Sequence, residues 1–291
     1  MSIPFRVAVT GANGQLGRLV IDAMATRLAP GTLVALVRDP AHLSAPFPDG
    51  VEVRQGDYER PETLDIALKD VDRLLLISSN ALGARLGQHR NVIAAATRAG
   101  VKRLAYTSVL QADTSSLGLA EEHRQTEALI RASGLAYTLL RNGWYTENYA
   151  ASIPAALAHG TFLGSAGEGR ISSASRQDYA EAAARALIED TGPQVVHELA
   201  GDGSYTLTEF AAEIARQTGK PVAYAHLAEA EFRNTLIGVG LPSPVAELLS
   251  NSDAAAAKGA LFDRSSQLSR LIGRPTTPFA ATIAESLAAG G

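Results

Sequence analysis

Phe5-Arg6-Val7-Ala8-Val9-Thr10-Gly11-Ala12-Asn13-Gly14-Gln15-Leu16-Gly17 runs an apolar β-segment directly into a glycine-rich turn. Beyond the turn, Leu16, Leu19, Val20, Ala23 and Met24 fall at helical spacing. Gly11-x-x-Gly14-x-x-Gly17 at a strand–helix junction is the context a dinucleotide fingerprint requires. Gly11 permits the tight turn, Gly14 lets backbone approach a pyrophosphate, and Gly17 lets the helix pack closely. The exposed amides and the helix dipole then favour a dianion. A ligand-free glycine loop is the bland alternative, and the strand–helix setting weighs against it.

The same rhythm continues along the chain. β-rich runs are expected at Phe5–Thr10, Leu33–Arg38, Val51–Arg54, Leu74–Ser79, Arg103–Ser108 and Ala136–Arg141, with helical stretches between them. One helix runs from about Gln88 to Arg98 and is stopped by Gly100; another starts at Pro61. Alternation of this kind means right-handed crossovers and a parallel sheet covered on both faces. The fold class is therefore α/β, a Rossmann-type doubly wound sheet. After Trp144 the rhythm loosens. Ala-rich helices are expected at 149–159 and 178–189, a strand at Val195–Leu199, a capping box at Thr206-x-x-Glu209, and helix over 227–257 broken by Pro242 and Pro244. The expected division is a dinucleotide-binding domain over 1–148, with the 195–199 strand returning to it. Residues 149–291 form a smaller, mainly helical, substrate-binding lobe.

Composition excludes several classes. The 291 residues are 46% hydrophobic and 19% charged, which is ordinary globular composition. There is no cysteine, so disulfide scaffolds, thiolate zinc sites and cysteine nucleophiles are ruled out. The six histidines show no i, i+3 or i, i+4 pairing, so no metal site is expected. A net charge of −4 gives no broad basic face for nucleic acid. No apolar run reaches the length of a membrane span, and the N-terminal region does not read as a signal peptide. A cytoplasmic protein is expected, with monomer and dimer both open.

The second strand ends Val37-Arg38-Asp39-Pro40. An acid at this point accepts the ribose hydroxyls of NAD, whereas an arginine accommodates the 2′-phosphate of NADP. Arg38 offers a fork suited to phosphate, so NADPH is expected over NADH; the alternative gives the ribose to Asp39. Asp57 is a candidate for the adenine amino group or a simple turn residue. The Tyr-x-x-x-Lys relay of standard short-chain dehydrogenases is missing. None of the eight tyrosines has lysine four residues on, and none of the four lysines lies on the helix at about 120–132. Alcohol–carbonyl chemistry by that relay is not expected; either the dinucleotide is bound without turnover or the reaction needs no acid. Quinone reduction does not need it, because a hydroquinone anion is phenol-like, with a pKa of about 10, and water or a weak donor can protonate it.

With these residues assembled, the chain resembles the NmrA-like atypical short-chain dehydrogenases, and within them the bacterial NADPH-dependent quinone oxidoreductases. The resemblance runs end to end. It is carried by Thr10–Gly17, Val34–Arg38, Leu74–Ser79, Gln88–Ile93, Ala105–Ser108 and above all Tyr137-Thr138-Leu139-Leu140-Arg141-Asn142-Gly143-Trp144-Tyr145-Thr146-Glu147-Asn148-Tyr149. It implies NADPH without flavin or metal, a small C-terminal lobe, and hydride transfer to a quinone. By position, Gly11, Ala12, Asn13, Gly14, Gln15 and Leu16 would hold the pyrophosphate and Arg38 the 2′-phosphate. The loop of Ser78, Ser79 and Asn80, with Arg85, would flank the ribose and nicotinamide. Asn142, Gly143, Trp144, Tyr145, Thr146 and Glu147 would wall the nicotinamide and quinone. Asn13 stands where the family more usually has threonine, and Asn80 where serine is found; little consequence is expected of either.

Among single residues, Trp144 offers a flat stacking wall, with a core anchor as the alternative. Tyr149 is expected to pack. His123 is a candidate proton donor, against a bland polar helix residue. Ser108 holds the relay serine's position and is expected to contact cofactor. His89-Arg90 is expected in helix packing. The expected activity is two-electron NADPH:quinone oxidoreduction. The rival is a non-catalytic NADP-sensing regulator that binds a protein partner. A benzylic-ether or pterocarpan-type reductase is weakened by the absent lysine.

Overall fold

The computed structural model describes residues 5–189 and 192–289. In chain order the elements are β1 (Val7–Val9), α1 (Gln15–Ala25), β2 (Leu33–Val37), β3 (Val51–Gln55), α2 (Pro61–Ala67), β4 (Arg73–Leu76), α3 (Arg85–Arg98), β5 (Arg103–Val109), α4 (Ala120–Ala132) and β6 (Ala136–Asn142). There follow α5 (Thr146–Ala150), α6 (Ile153–His159), β7 (Thr161–Gly164), α7 (Arg176–Glu189), β8 (Gln194–Leu199), α8 (Leu207–Thr218), β9 (Ala223–His226), α9 (Glu229–Gly238), α10 (Ser243–Ala256), α11 (Gln267–Ile272) and α12 (Phe279–Ala289). No helix among the described residues is long and apolar enough to cross a membrane.

The chain divides into two compact units. The first takes residues up to Ala112, Glu121–Asn142 and Arg176–His197; the second takes Asp113–Ala120, Gly143–Ser175 and residues from Glu198 on. The expected boundary was 148/149. The observed one follows Asn142, and α7, placed in the second lobe by its position in sequence, packs instead against α1 of the first unit. Arg73 fixes the end of α7 by donating from Nη1 to the Leu187 and Ile188 carbonyls at 2.6 and 2.8 Å. A cation at a helix C-terminus also meets the negative end of its dipole.

The first unit is built on a seven-stranded sheet of order β3-β2-β1-β4-β5-β6-β8, in which β1 to β6 pair in parallel. The strand direction of travel reverses at β1, so right-handed crossovers place α1 on one face and α2, α3 and α4 on the other. The latter core takes every second strand residue: Val34 and Leu36, Leu74 and Leu76, Leu104 and Tyr106, Tyr137 and Leu139. Consecutive strand residues are buried as well, because both faces are covered. β4 was expected to reach Ser79 but ends at Leu76. The amides of Ile77 and Ser78 leave the ladder for the hydroxyls of Thr10 (3.0 Å) and Thr107 (2.8 Å).

The second unit is mainly helical. Its core gathers Tyr149, Phe162, Tyr205, Phe210 and Phe279, with neighbouring ring centroids 4.3 to 6.5 Å apart. The capping box stands as expected. Glu209 N donates to Thr206 Oγ1 at 3.2 Å, Thr206 N donates to Glu209 Oε2 at 2.8 Å, and Gly219 ends the helix at φ +67°. The single helix expected at 149–159 is two short ones, α5 and α6, with Pro154 in the first turn of the second. The parallel pair β7–β9 was not anticipated.

Candidate functional site

A cavity of about 690 Å³ opens at the carboxyl ends of the first unit's strands. Its walls come from the turns after β1, β2, β3 and β4. β1 and β4 flank the point where strand order reverses, which is where open α/β sheets bind ligands.

The floor is the glycine turn. Gly11 takes φ +59°. A Cβ on Gly17 would lie 2.3 Å from the Gly11 carbonyl oxygen and 2.7 Å from Ala12 Cα, so Gly17 lets α1 begin directly against the turn. Gly14 caps α1 without a side-chain hydrogen bond, and no acid stands in the first turn. The first amides of α1 are thus left toward the cavity, where Gln15, Leu16 and Gly17 line it. Ala12 differs: it is fully buried, and its amide donates to the Leu36 carbonyl at 3.1 Å. It shapes the turn and does not line the cavity.

Asn13 is far from neutral in consequence. Its Oδ1 accepts Arg18 Nη2 at 2.6 Å and both the amide and hydroxyl of Ser44 at 3.0 Å, while its Nδ2 donates to the His42 carbonyl at 3.2 Å. A threonine has no amide group to make this set.

At the end of β2, Arg38 lines the cavity, and its guanidinium has no partner among the described residues. Asp39 is occupied. Its Oδ1 accepts the Ala41 amide at 2.9 Å and its Oδ2 meets His42 Nδ1 at 2.6 Å. The His42 contact, then the Ala41 amide, hold its carboxyl below the ordinary carboxylate range. Asp57 lines the cavity and also closes a turn, accepting the Glu59 amide at 3.0 Å.

The loop after β4 is held at every polar atom of Ser79. Its amide donates to His89 Nε2 (3.0 Å), its carbonyl accepts Arg85 Nε (2.7 Å), and its hydroxyl donates to Gln88 while accepting the Ala81 amide (3.1 Å). Ser78, Ser79 and Asn80 line the cavity. Arg85 was expected to flank the ligand. It is instead 6% exposed, lies outside the cavity wall, and ties Ser79 to Glu122 Oε2 (3.1 Å). Sequence reading passed over Tyr58, Gln88 and His42, all cavity residues. Tyr58 had a readable position, in the turn after the third strand; its hydroxyl donates to the Ile77 carbonyl at 2.9 Å.

His123 is not brought to the cavity. It is 5% exposed on α4, with Nδ1 2.7 Å from the Tyr106 hydroxyl, and burial, then Arg85 and His89, push its pKa well below the usual histidine value. A neutral, enclosed imidazole is a poor proton source, so the placement corrects that expectation. Ser108, expected on the cofactor, donates instead to Glu127 Oε1 at 2.6 Å.

Asn142, at the end of β6, is buried, and its Oδ1 finds no hydrogen-bond partner among the described residues. Segment 143–147 belongs to the second unit. The Gly143 amide donates to the Leu199 carbonyl (2.7 Å), and the Ala174 amide to the Trp144 carbonyl (3.1 Å). Trp144 is 9% exposed, its ring 6.4 Å from that of Tyr149. Tyr145 and Glu147 are half-buried. Thr146 is fully buried with Oγ1 2.7 Å from Ser173 Oγ, an internal tie rather than a ligand contact. Among the described residues no cluster of acids and histidines could hold a metal.

The profile of the NAD(P)H-binding family matches residues 11–190. Quinone oxidoreductase 2 of Escherichia coli is 54% identical over 97% of each chain. The crystal structure of that bacterium's NADPH-dependent quinone oxidoreductase, complexed with NADPH, superposes with a TM-score of 0.92 at 53% identity, over 97% of this chain and 99% of that one. Triphenylmethane reductase of Citrobacter sp. superposes with a TM-score of 0.92 at 35% identity, over 98% and 100% of the two chains.

Proposed function

Because the chain belongs to the NAD(P)H-binding family, in the branch represented by quinone oxidoreductase 2, we propose that it reduces quinones to hydroquinones with NADPH, directly and without flavin. When bound, the nicotinamide supplies the hydride; the protein supplies alignment and a dry setting. The amides of Gln15, Leu16 and Gly17 face the pyrophosphate, and Arg38 takes the 2′-phosphate. Ser78, Ser79 and Asn80 carry the ribose–nicotinamide end. Asn142, with a buried acceptor still unsatisfied, offers its Oδ1 to the carboxamide. The second unit serves as the substrate lobe, with Trp144, Tyr145 and Glu147 contributing to quinone binding.

The observation that carries the reading is where the relay serine's hydroxyl goes. Ser108 is committed to Glu127, and no Tyr-x-x-x-Lys accompanies it. A dinucleotide cavity without an alcohol–carbonyl relay suits an acceptor whose reduced anion is phenol-like.

The test is NADPH oxidation, followed by absorbance, with a panel of benzoquinones and naphthoquinones. Turnover with NADPH is expected to exceed that with NADH. Tight NADP binding with no quinone consumed would overturn the proposal in favour of a nucleotide-sensing regulator. Losing charge-assisted bonds worth about 1.5–3 kcal/mol, Arg38→Ala should raise KM for NADPH roughly ten- to a hundredfold, leaving NADH within about twofold. An equal effect on both would remove Arg38 from the 2′ position. Trp144→Ala should lower kcat/KM for quinone about tenfold, the scale of an aromatic contact, with NADPH affinity held; the reverse pattern makes Trp144 a core residue only.

A further inference from the structure

Arg38 is followed by Asp39, the residue type that grips ribose hydroxyls in NAD sites. A free carboxylate there opposes an incoming 2′-phosphate and welcomes a plain ribose. Here neither carboxylate oxygen is free, since the Ala41 amide takes one and the His42 ring the other, at 2.9 and 2.6 Å. The loop that delivers His42 is itself held from the glycine turn. Asn13 bonds the His42 carbonyl and Ser44. Arg18 bonds Asn13 and the Ala45 carbonyl, both at 2.6 Å, and lies 4.6 Å over the Phe47 ring. Asn13, Arg38, Asp39 and His42 line one cavity.

We propose that His42 is a specificity-determining residue: by engaging the Asp39 carboxylate it leaves Arg38 to read the 2′ position, and so selects the phosphorylated dinucleotide. Asn13 is the positioning residue that sets His42. The inference rests on the dinucleotide reading of the cavity. The pair does little for stability, because its side chains are 83% and 53% exposed and such surface pairs contribute almost nothing. Its effect falls on the ligand. A carboxylate oxygen released beside a phosphate dianion opposes it, while offering the ribose diol the acceptor that His42 had held.

Dissociation constants for NADPH and NADH, measured by fluorescence titration, test this on the wild type, His42→Ala, Asp39→Asn and the double variant. His42→Ala should cut the NADPH-over-NADH preference about tenfold, weakening NADPH and strengthening NADH. The double variant has no carboxylate to release and should return to within about twofold of the wild type, the pattern of two coupled neighbours. An unchanged preference in His42→Ala, or a double variant as impaired as the single one, overturns the proposal while the dinucleotide reading stands. A wild type that binds neither nucleotide overturns both.

Discussion

Glu127→Leu should lower the free energy of unfolding by about 3–5 kcal/mol, the cost of stranding a buried charge, measured by urea denaturation at neutral pH. Glu127 is 2% exposed on α4 and Arg141 4% exposed on β6. Arg141 donates from Nε at 2.9 Å and from Nη2 at 2.7 Å, and Ser108 adds its hydroxyl at 2.6 Å. Removing the carboxylate leaves a guanidinium with its principal counter-charge gone. Replacing both charges, in Glu127→Leu with Arg141→Met, should recover at least half of the loss, because well-packed apolar pairs substitute for buried ion pairs at small cost. A single variant losing under about 1 kcal/mol, the scale of an exposed pair, contradicts the assignment.

Stability should also fall on mild acidification. His89 and His123 are both neutral in the fold. Thr126 donates its hydroxyl to the Glu122 carbonyl (2.8 Å), so its oxygen accepts from His89 Nδ1 (3.0 Å), which leaves Nε2 to accept the Ser79 amide (3.0 Å). Burial, then Arg85, bring the His89 pKa down to about 3, and His123 is pushed well below its usual value too. Folded values lie below the unfolded value of about 6.5, so this stabilisation is complete above pH 6.5 and drains away as pH drops beneath it. At about 1.4 kcal/mol per pH unit, His89 alone withdraws about 2 kcal/mol between pH 7 and pH 5, and His123 adds to the loss in the same direction. Asp253, raised to about 6 chiefly by burial, acts in the opposite sense. It binds its proton more readily when folded and returns about 1 kcal/mol over the same interval. The net expectation is a loss of at least about 1 kcal/mol by urea titration at the two pH values. His123→Gln should shrink the loss on acidification; a flat pH response in the wild type refutes the account.

The glycine turn, the alternation of strand and helix and the missing relay were all legible, because each is encoded within a few consecutive residues, by a short period or by a count. What escaped depends on distance along the chain. Asn13 owes its importance to partners near residue 42, and β7 pairs with β9 through Thr161 and Ala223, two runs too short to announce themselves. His123 lies on the inward stripe of α4 with Thr126, Glu127 and Ile130. A stripe bearing three polar residues reads as exposed until their buried partners on β5, β6 and α3 are known. Arg85 misled for the same reason: its position in the resemblance pointed to a ligand, and Glu122 is what it meets.

The backbone passes from one unit to the other after Ala112, Ala120, Asn142, Ser175 and His197. Neither half is therefore a contiguous stretch of gene. Cutting the chain at any of the first four of these points parts α7 and β8 from the sheet strands they join, so recombination that exchanges the second unit between relatives must carry three separate blocks at once. Swapping one parent's terminal segment for another's should therefore yield misassembled hybrids.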